Sequence, residues 1–231
     1  MASNPWENEY KNPTFLTKEM EPQADTVRFF KFLKKEEKFD CVGKELIDLG
    51  CGTGRNSLYA FELGAVAHGI DISKTAIAHG LEYLKQRDVE IDLRVGSIGE
   101  TLPYDDNFFD VALDVTSSNS LTEAERKVCF EEMYRVLKSG GYVYVKALCK
   151  DGDTNAKELL KRFPGSEVDT YILPEQKIVE RVWTRKDITD FYSRKFKILH
   201  LEMKESYTTM GDRRYKRHFW IMYLQKQLLT H

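Results

Sequence analysis

Residues 45–57 read ELIDLGCGTGRNS: an apolar run, then Gly50, Gly52 and Gly54 at alternate positions, then residues able to open a helix. A strand that ends in glycines and runs into a helix is a binding device. The glycines let the backbone approach a ligand closely, and the helix N-terminus offers unpaired N–H groups. The dinucleotide fingerprint G-x-G-x-x-G needs a third glycine where this chain has Arg55. A Walker loop ends in G-K-S/T, and this one ends in Gly54-Arg55-Asn56. Both phosphate readings are therefore weakened.

Asp71 closes the next strand, in HGIDIS. In a doubly wound sheet a carboxylate there stands beside the glycine loop and can accept both hydroxyls of a ribose. The alternative role for Asp71 is to cap the helix after Ser73.

Outward from this pair the chain alternates. AVAHGID (65–71), EIDLRV (90–95), FFDVALDV (108–115) and YVYVKAL (142–148) read as strands. Helices are predicted over 55–63, stopped by Gly64, and over 74–87, capped by Ser73 with Ile77, Leu81 and Leu84 at helical spacing. A third, over 122–141, opens on the capping box Thr122/Glu125 and is ended by Gly140 and Gly141. An amphipathic helix is predicted within 21–37, with Val27, Phe30 and Leu33 on one stripe. This β-α-β-α rhythm predicts an α/β fold, a doubly wound, mostly parallel sheet with helices on both faces. After Lys150 the rhythm changes to short helices over 154–163 and 184–192, with an extended stretch between them. Two strand-like runs at 195–205 and 216–227 are joined by a loop, 206–215, too short for a helical crossover, and so predict an antiparallel pair.

The chain of 231 residues is sized for one domain. Its expected parts are an aromatic tail and helix (1–40, a possible lid), a cofactor-binding core (44–149), an insertion covering the acceptor site (151–183), and a helix with the C-terminal strand pair (184–231). A net charge of −2 gives no global pull toward nucleic acid or a membrane surface. No segment has the ~20 apolar residues of a membrane span, and no signal peptide is read at the N-terminus, so a cytoplasmic location is expected. Cys41, Cys51, Cys129 and Cys149 form no CxxC pair and no metal-ligand pattern, so four free thiols and no metal are expected.

ELIDLGCGTG, GIDIS, LPYDDNFFDVALDV and MYRVLKSGGYVYV, in that order, resemble the core of class I S-adenosylmethionine-dependent methyltransferases. The stretch 52–71 is similar to the small type-11 and tellurite-resistance-like members. The resemblance implies a seven-stranded sheet ending in an antiparallel hairpin, with S-adenosylmethionine as cofactor and S-adenosylhomocysteine as product. It implies that Asp48, Gly50, Cys51, Gly52 and Gly54 line the methionine part, that Asp71 binds the ribose, and that Ile72 packs on the adenine. Where many relatives carry an acidic residue for the adenine amino group, this chain offers Ser97 or the backbone of Ile98. Asp114 faces the same crevice, or else caps a turn.

Methyl transfer needs positioning more than a dedicated base. Asp114 and His218 are the candidate proton acceptors. Trp6 and Tyr10, at helical spacing, are candidates for an aromatic lid, since a sulfonium favours aromatic faces. Tyr171, Glu180, Arg181 and Trp183 are candidates for the acceptor site, and the basic run at Arg213 for an anionic group on the acceptor. A small-molecule acceptor is expected. Nucleic acid is not, because the Asp/Asn-Pro-Pro-aromatic motif of base methylation is missing where the chain reads LDVTSSNS (113–120). Methylation of a protein or RNA is the rival reading. A catalytically silent cofactor-binding protein and a dehydrogenase are the others. Oligomeric state is left open.

Overall fold

The computed structural model describes residues 4–14, 20–210 and 213–227, except the side chains of 208–210 and 213–214. Five strands alternate with helices in the first two thirds of the chain: β1 (Glu45–Leu49), β2 (Val66–Asp71), β3 (Asp92–Val95), β4 (Phe109–Val115) and β5 (Leu137–Leu148). Ahead of them lie α1 (Pro5–Lys11) and α2 (Ala24–Glu36), and between them α3 (Arg55–Glu62), α4 (Lys74–Lys85) and α5 (Glu123–Val136). Then follow α6 (Thr154–Arg162), a small ribbon of β6 (Thr170–Ile172) and β7 (Val179–Arg181), α7 (Arg185–Tyr192), and the hairpin β8 (Phe196–Met210) and β9 (Arg213–Lys226).

The main sheet has seven strands in the order β3-β2-β1-β4-β5-β9-β8. β1 to β5 pair in parallel, and β9 runs antiparallel to both β5 and β8. Period-2 alternation splits the central strands between two cores. From β5, Tyr142 and Tyr144 enter one core with Phe29, Phe30 and Leu33 of α2. Val143 and Val145 enter the other, with Phe130 and Met133 of α5 and Ile188 of α7. Strands buried on both faces read as continuous apolar runs, which is why FFDVALDV was legible.

Four local expectations are corrected. The buried stripe of α2 is Thr26, Phe29, Phe30 and Leu33, with Val27 at its margin. On α4, Leu81 is 45% exposed, and Gly80 faces inward between Ile77 and Leu84. The α5 helix stops at Val136 and the strand begins at once, so Gly140 and Gly141 lie inside β5. A register shift opposite Phe109 and Val111 accommodates them. The stretch 206–215 falls largely within β8 and β9, which pair as far as Met210 and Arg213. All four cysteines are buried and free. Among the described residues no helix is long and apolar enough to cross a membrane.

Candidate functional site

The carboxyl ends of β1, β2, β3 and β4 open into one cavity of about 560 Å³. Gly50, Cys51 and Gly52 from the loop after β1 line it, with Asp71 and Ile72 at the end of β2, Ser97 and Ile98 after β3, and Val115 and Thr116 at the end of β4. Crevices at strand ends are where ligands bind in such sheets.

The loop is folded back on its own sheet. The amides of Gly50 and Cys51 both donate to the carbonyl of Ile70, at 2.8 and 3.1 Å. Gly50 has φ +70, and a Cβ there would sit 2.4 Å from Cβ of Ser117. Gly52 has φ +58, and its Cβ would sit 2.3 Å from the Tyr10 hydroxyl oxygen. A side chain at either place would have to displace Ser117 or Tyr10. Asp71 ties the loop to α4: one oxygen accepts the Gly52 N–H at 2.8 Å and the other the Ser73 N–H at 2.8 Å. Each oxygen keeps a second lone pair. Burial pushes the carboxyl up, and the two N–H donors pull it back. Beside it, Ile72 is 45% exposed, an apolar side chain bordering the cavity.

The lid is α1. Asn4 caps it, Pro5 occupies its first turn, and Trp6 and Tyr10 line the cavity one turn apart. Glu7 holds the helix down. Its carboxylate accepts the Ser73 hydroxyl at 2.7 Å, and the Thr75 N–H and hydroxyl at 3.2 and 2.7 Å. The Ser73 bond, with those of Thr75, draws the Glu7 carboxyl down to about 2 against the opposing effect of burial. Burial, then the charge of Asp71, pushes the Tyr10 phenol far above its ordinary value, so it stays protonated.

Other expected residues stand apart from the cavity. Asp48 lies beneath the loop, accepts the Ser57 hydroxyl at 2.9 Å, and is pushed up to about 7 by burial. Gly54 is the N-cap of α3 and packs on Leu93. Asp114 is fully buried and accepts the N–H groups of Ser117 and Ser118 and the Ser118 hydroxyl. It caps the 3₁₀ turn Ser118–Ser120 and does not line the cavity. His218 is buried elsewhere: its Nδ1 is 3.1 Å from the Asp151 carbonyl and its Nε2 3.3 Å from Glu205. Tyr171 is fully buried and bonds both Glu180 and Arg217. Arg181 and Trp183 line a second cavity. The insertion reaches the first cavity through Lys177, Ile178 and Val179 instead. Arg213 begins β9, and its side chain lies outside the described residues.

Several lining residues had gone unassigned: Arg55, Asn56, Thr116, Ser117, Leu121 and Lys177. Among the described residues neither Arg55 nor Lys177 joins an ion pair. Thr116 has φ +61, rare for a β-branched residue and a mark of functional sites. Its place just past a strand's carboxyl end was the available signal; for Lys177 there was none.

A family model described as "Methyltransferase domain", type 11, matches residues 47–145. The chain is 30% identical over 105 residues to the 18S rRNA (guanine-N(7))-methyltransferase of Bos taurus, covering 42% of this chain and 36% of that protein. It therefore spans about a third of that relative's length. Among solved structures, a SAM-dependent methyltransferase of Methanosarcina mazei superposes with a TM-score of 0.71 at 25% identity, over 80% of this chain and 93% of that one. TehB of Haemophilus influenzae superposes with 0.66 at 20% identity, over 96% and 67%. The tellurite-resistance-like part of the resemblance is one of fold.

Proposed function

From a chain whose core belongs to the class I S-adenosylmethionine-dependent methyltransferases, we infer an enzyme that methylates a small molecule. The observation that carries this is the convergence on one cavity of Asp71, Ile72 and a turn whose glycines hold positive φ and lie close against Ser117 and Tyr10, with Trp6 and Tyr10 along its side. That convergence suits an adenosyl group. Asp71 has lone pairs for the ribose hydroxyls, Ile72 an apolar face for the adenine, and Ser97 and the Ile98 backbone polar atoms for its edge. The Gly50–Gly54 loop takes the methionine part, and the unpaired Arg55 suits its carboxylate. When bound, S-adenosylmethionine supplies a methyl group on a sulfonium, and the transfer is an in-line displacement.

The chain's own residues position and enclose. Tyr10, whose hydroxyl meets Gly52, and Trp6 add aromatic rings to the cavity wall, which favour a nearby positive charge and help exclude water. The acceptor lies between α1 and the stretch 177–179, near Gln23, Asn56 and Lys177. Of the acidic lining residues, Asp71 is committed to the loop and Glu125 to the cap of α5. The acceptor must then arrive as a competent nucleophile, and catalysis comes from placement. Asp114 and His218 are assigned structural roles.

The closed lid favours a small acceptor over a macromolecular one. So does the C-terminal basic run: Arg217 is buried among Asp153, Glu180 and Tyr171, and Lys216 pairs with Glu205. Buried free thiols suit a reducing compartment, and a cytoplasmic location belongs to the same proposal. The test is calorimetric titration with S-adenosylhomocysteine, followed by assay of its formation from S-adenosylmethionine with small thiols, amines and carboxylates. Tight cofactor binding with turnover of one class is expected. Turnover only with RNA, falling steeply as salt is raised, would overturn the small-acceptor reading. Binding without turnover on any acceptor would leave a cofactor-binding protein, and absence of binding would end the assignment.

A further inference from the structure

A second cavity, of about 350 Å³, shares the start of α5 with the first. Ser120, Leu121 and Glu125 border one, and Glu123, Arg126 and Lys127 the other. The second is built around guanidinium groups. Arg126 is only 4% exposed, and its Nε donates to the Ser118 carbonyl at 3.2 Å and its Nη2 to that of Leu121. Among the described residues it joins no ion pair. Arg181 lies against the same indole as Arg126: their guanidinium carbons are 4.8 and 5.7 Å from the Trp183 ring. Burial, then the like charge of Arg181, holds Arg126 below the ordinary arginine value. Arg194, the third, rests 4.7 Å from the Phe191 ring and gives its Nε to the Phe191 carbonyl.

The carboxylates that line the cavity have partners of their own, and Glu167 and Glu123 also offset part of the charge on Arg126. Glu123 pairs with Lys127, and Asp190 with Lys186. Asp187 bonds the Thr184 hydroxyl at the cap of α7, and Glu167 accepts the Glu123 N–H. The acid nearest Arg181 in an ion pair is Asp169, at 3.8 Å, which also takes Lys150. Arg126 and Arg181 are like charges beside one indole, and an entering anion would relieve the repulsion that remains between them. Guanidinium forks match the oxygens of a carboxylate or phosphate.

We propose that this cavity is a second binding site, for a small oxyanion of the carboxylate or phosphate monoester class, held by Arg126, Arg181 and Arg194. It is separate from the cofactor cavity and does not depend on the methyltransferase reading. Through Arg126 it touches the carbonyls of Ser118 and Leu121, in the turn that borders the first cavity.

The test is calorimetric titration of the full chain, with S-adenosylhomocysteine present, at fixed ionic strength. Inorganic phosphate is the probe in one arm and benzoate in the other. Saturable one-site binding of either is expected, and the arm that responds distinguishes phosphate ester from carboxylate. Arg181→Gln and Arg194→Gln should each weaken it about ten- to a hundredfold, from the loss of a hydrogen bond to a charged group, with the affinity for S-adenosylhomocysteine unchanged. Arg126 secures two carbonyls of the fold, so the more peripheral arginines are the ones replaced. No saturable heat with either anion, or equal affinity in both variants, would overturn the site.

Discussion

Asp71 does two jobs with one carboxylate, and the two can be separated by substitution. Its oxygens hold the amides of Gly52 and Ser73, and its remaining lone pairs border the cavity. Asp71→Ala leaves two buried N–H groups without acceptors, costing about 1–3 kcal/mol for each that stays unsatisfied. Both the melting temperature and the affinity for S-adenosylhomocysteine should therefore fall, whereas Asp71→Asn keeps one acceptor and should melt closer to the parent. Equal affinity across all three proteins, measured by calorimetry, would remove the ribose role. Asp48 makes a different prediction. Its carboxyl is raised from 3.8 to about 7, chiefly by burial, so the folded protein binds a proton that the unfolded chain releases. A raised folded value means stability that is full below about 3.8 and lost as pH rises through about 7. Asp48→Asn keeps an acceptor for Ser57 and lacks this loss. Its stability relative to the parent should climb by about 2–3 kcal/mol between pH 5 and 8, the part of the window from 3.8 to about 7 that falls in that range, at about 1.36 kcal/mol per pKa unit. Parallel denaturation curves at the two pH values would contradict a raised Asp48 carboxyl. Asp48 and Asp71 look alike in the sequence, each closing or nearly closing a strand. What separates them is which side of the glycine turn they fall on, and that depends on side-chain direction rather than spacing.

At the scale of elements, what was legible was what is local. The capping box at Thr122 and Glu125 and the Ser73 cap of α4 involve residues three apart, and both form as read. The α1 helix was legible only as a pair of rings at helical spacing. What fixes it, Glu7 on Ser73 and Thr75, spans 66 and 68 residues, and no local pattern announces such a contact. A seven-residue helix is not stable alone in water, so α1 owes its order to docking. Glu7→Ala should free it. Proteolysis near residues 8–14 should quicken, and affinity for S-adenosylhomocysteine should drop by about 1.5–3 kcal/mol, the range for hydrogen bonds to a charged group. The folded Glu7 carboxyl is depressed from 4.5 to about 2, so its contribution is complete above about 4.5 and lost only as pH falls toward about 2. Lid closure should thus be flat from pH 5 to 8, the window in which Asp48 acts. A lid that opens within that window would mean that Glu7 is not its latch.

For the whole molecule, the parallel sheet with helices on both faces followed from the β-α-β rhythm, because a parallel crossover has one hand and few ways to close. The insertion and hairpin were harder. Tyr171, Glu180, Arg217 and His218 carry the residue types of an acceptor site, yet Tyr171 joins Glu180 to Arg217, and Asp153 meets Arg217 and the His218 amide, inside the fold. Polar residues can satisfy one another across elements far apart in sequence, and composition cannot show it. The consequence for function is that binding energy concentrates at one end of the sheet, where four strands, α1 and residues 177–179 meet. A ligand that bridges them should stabilise the fold as a unit. At a concentration near one hundred times its dissociation constant, S-adenosylhomocysteine should add about 2.7 kcal/mol, a rise of about 5–10 °C in melting temperature for a chain of this size. Nicotinamide dinucleotides and ATP should give none, since Arg55 stands where their phosphate loops need another residue. Removing residues 1–14 should leave the ligand-free melt nearly unchanged, because the two main cores are built on the sheet and the later helices, while cutting the shift caused by S-adenosylhomocysteine. A dinucleotide that raised the melt as far as S-adenosylhomocysteine, or a truncated chain that kept the full shift, would mean that this end of the sheet recognises something other than an adenosyl sulfonium under a closing helix.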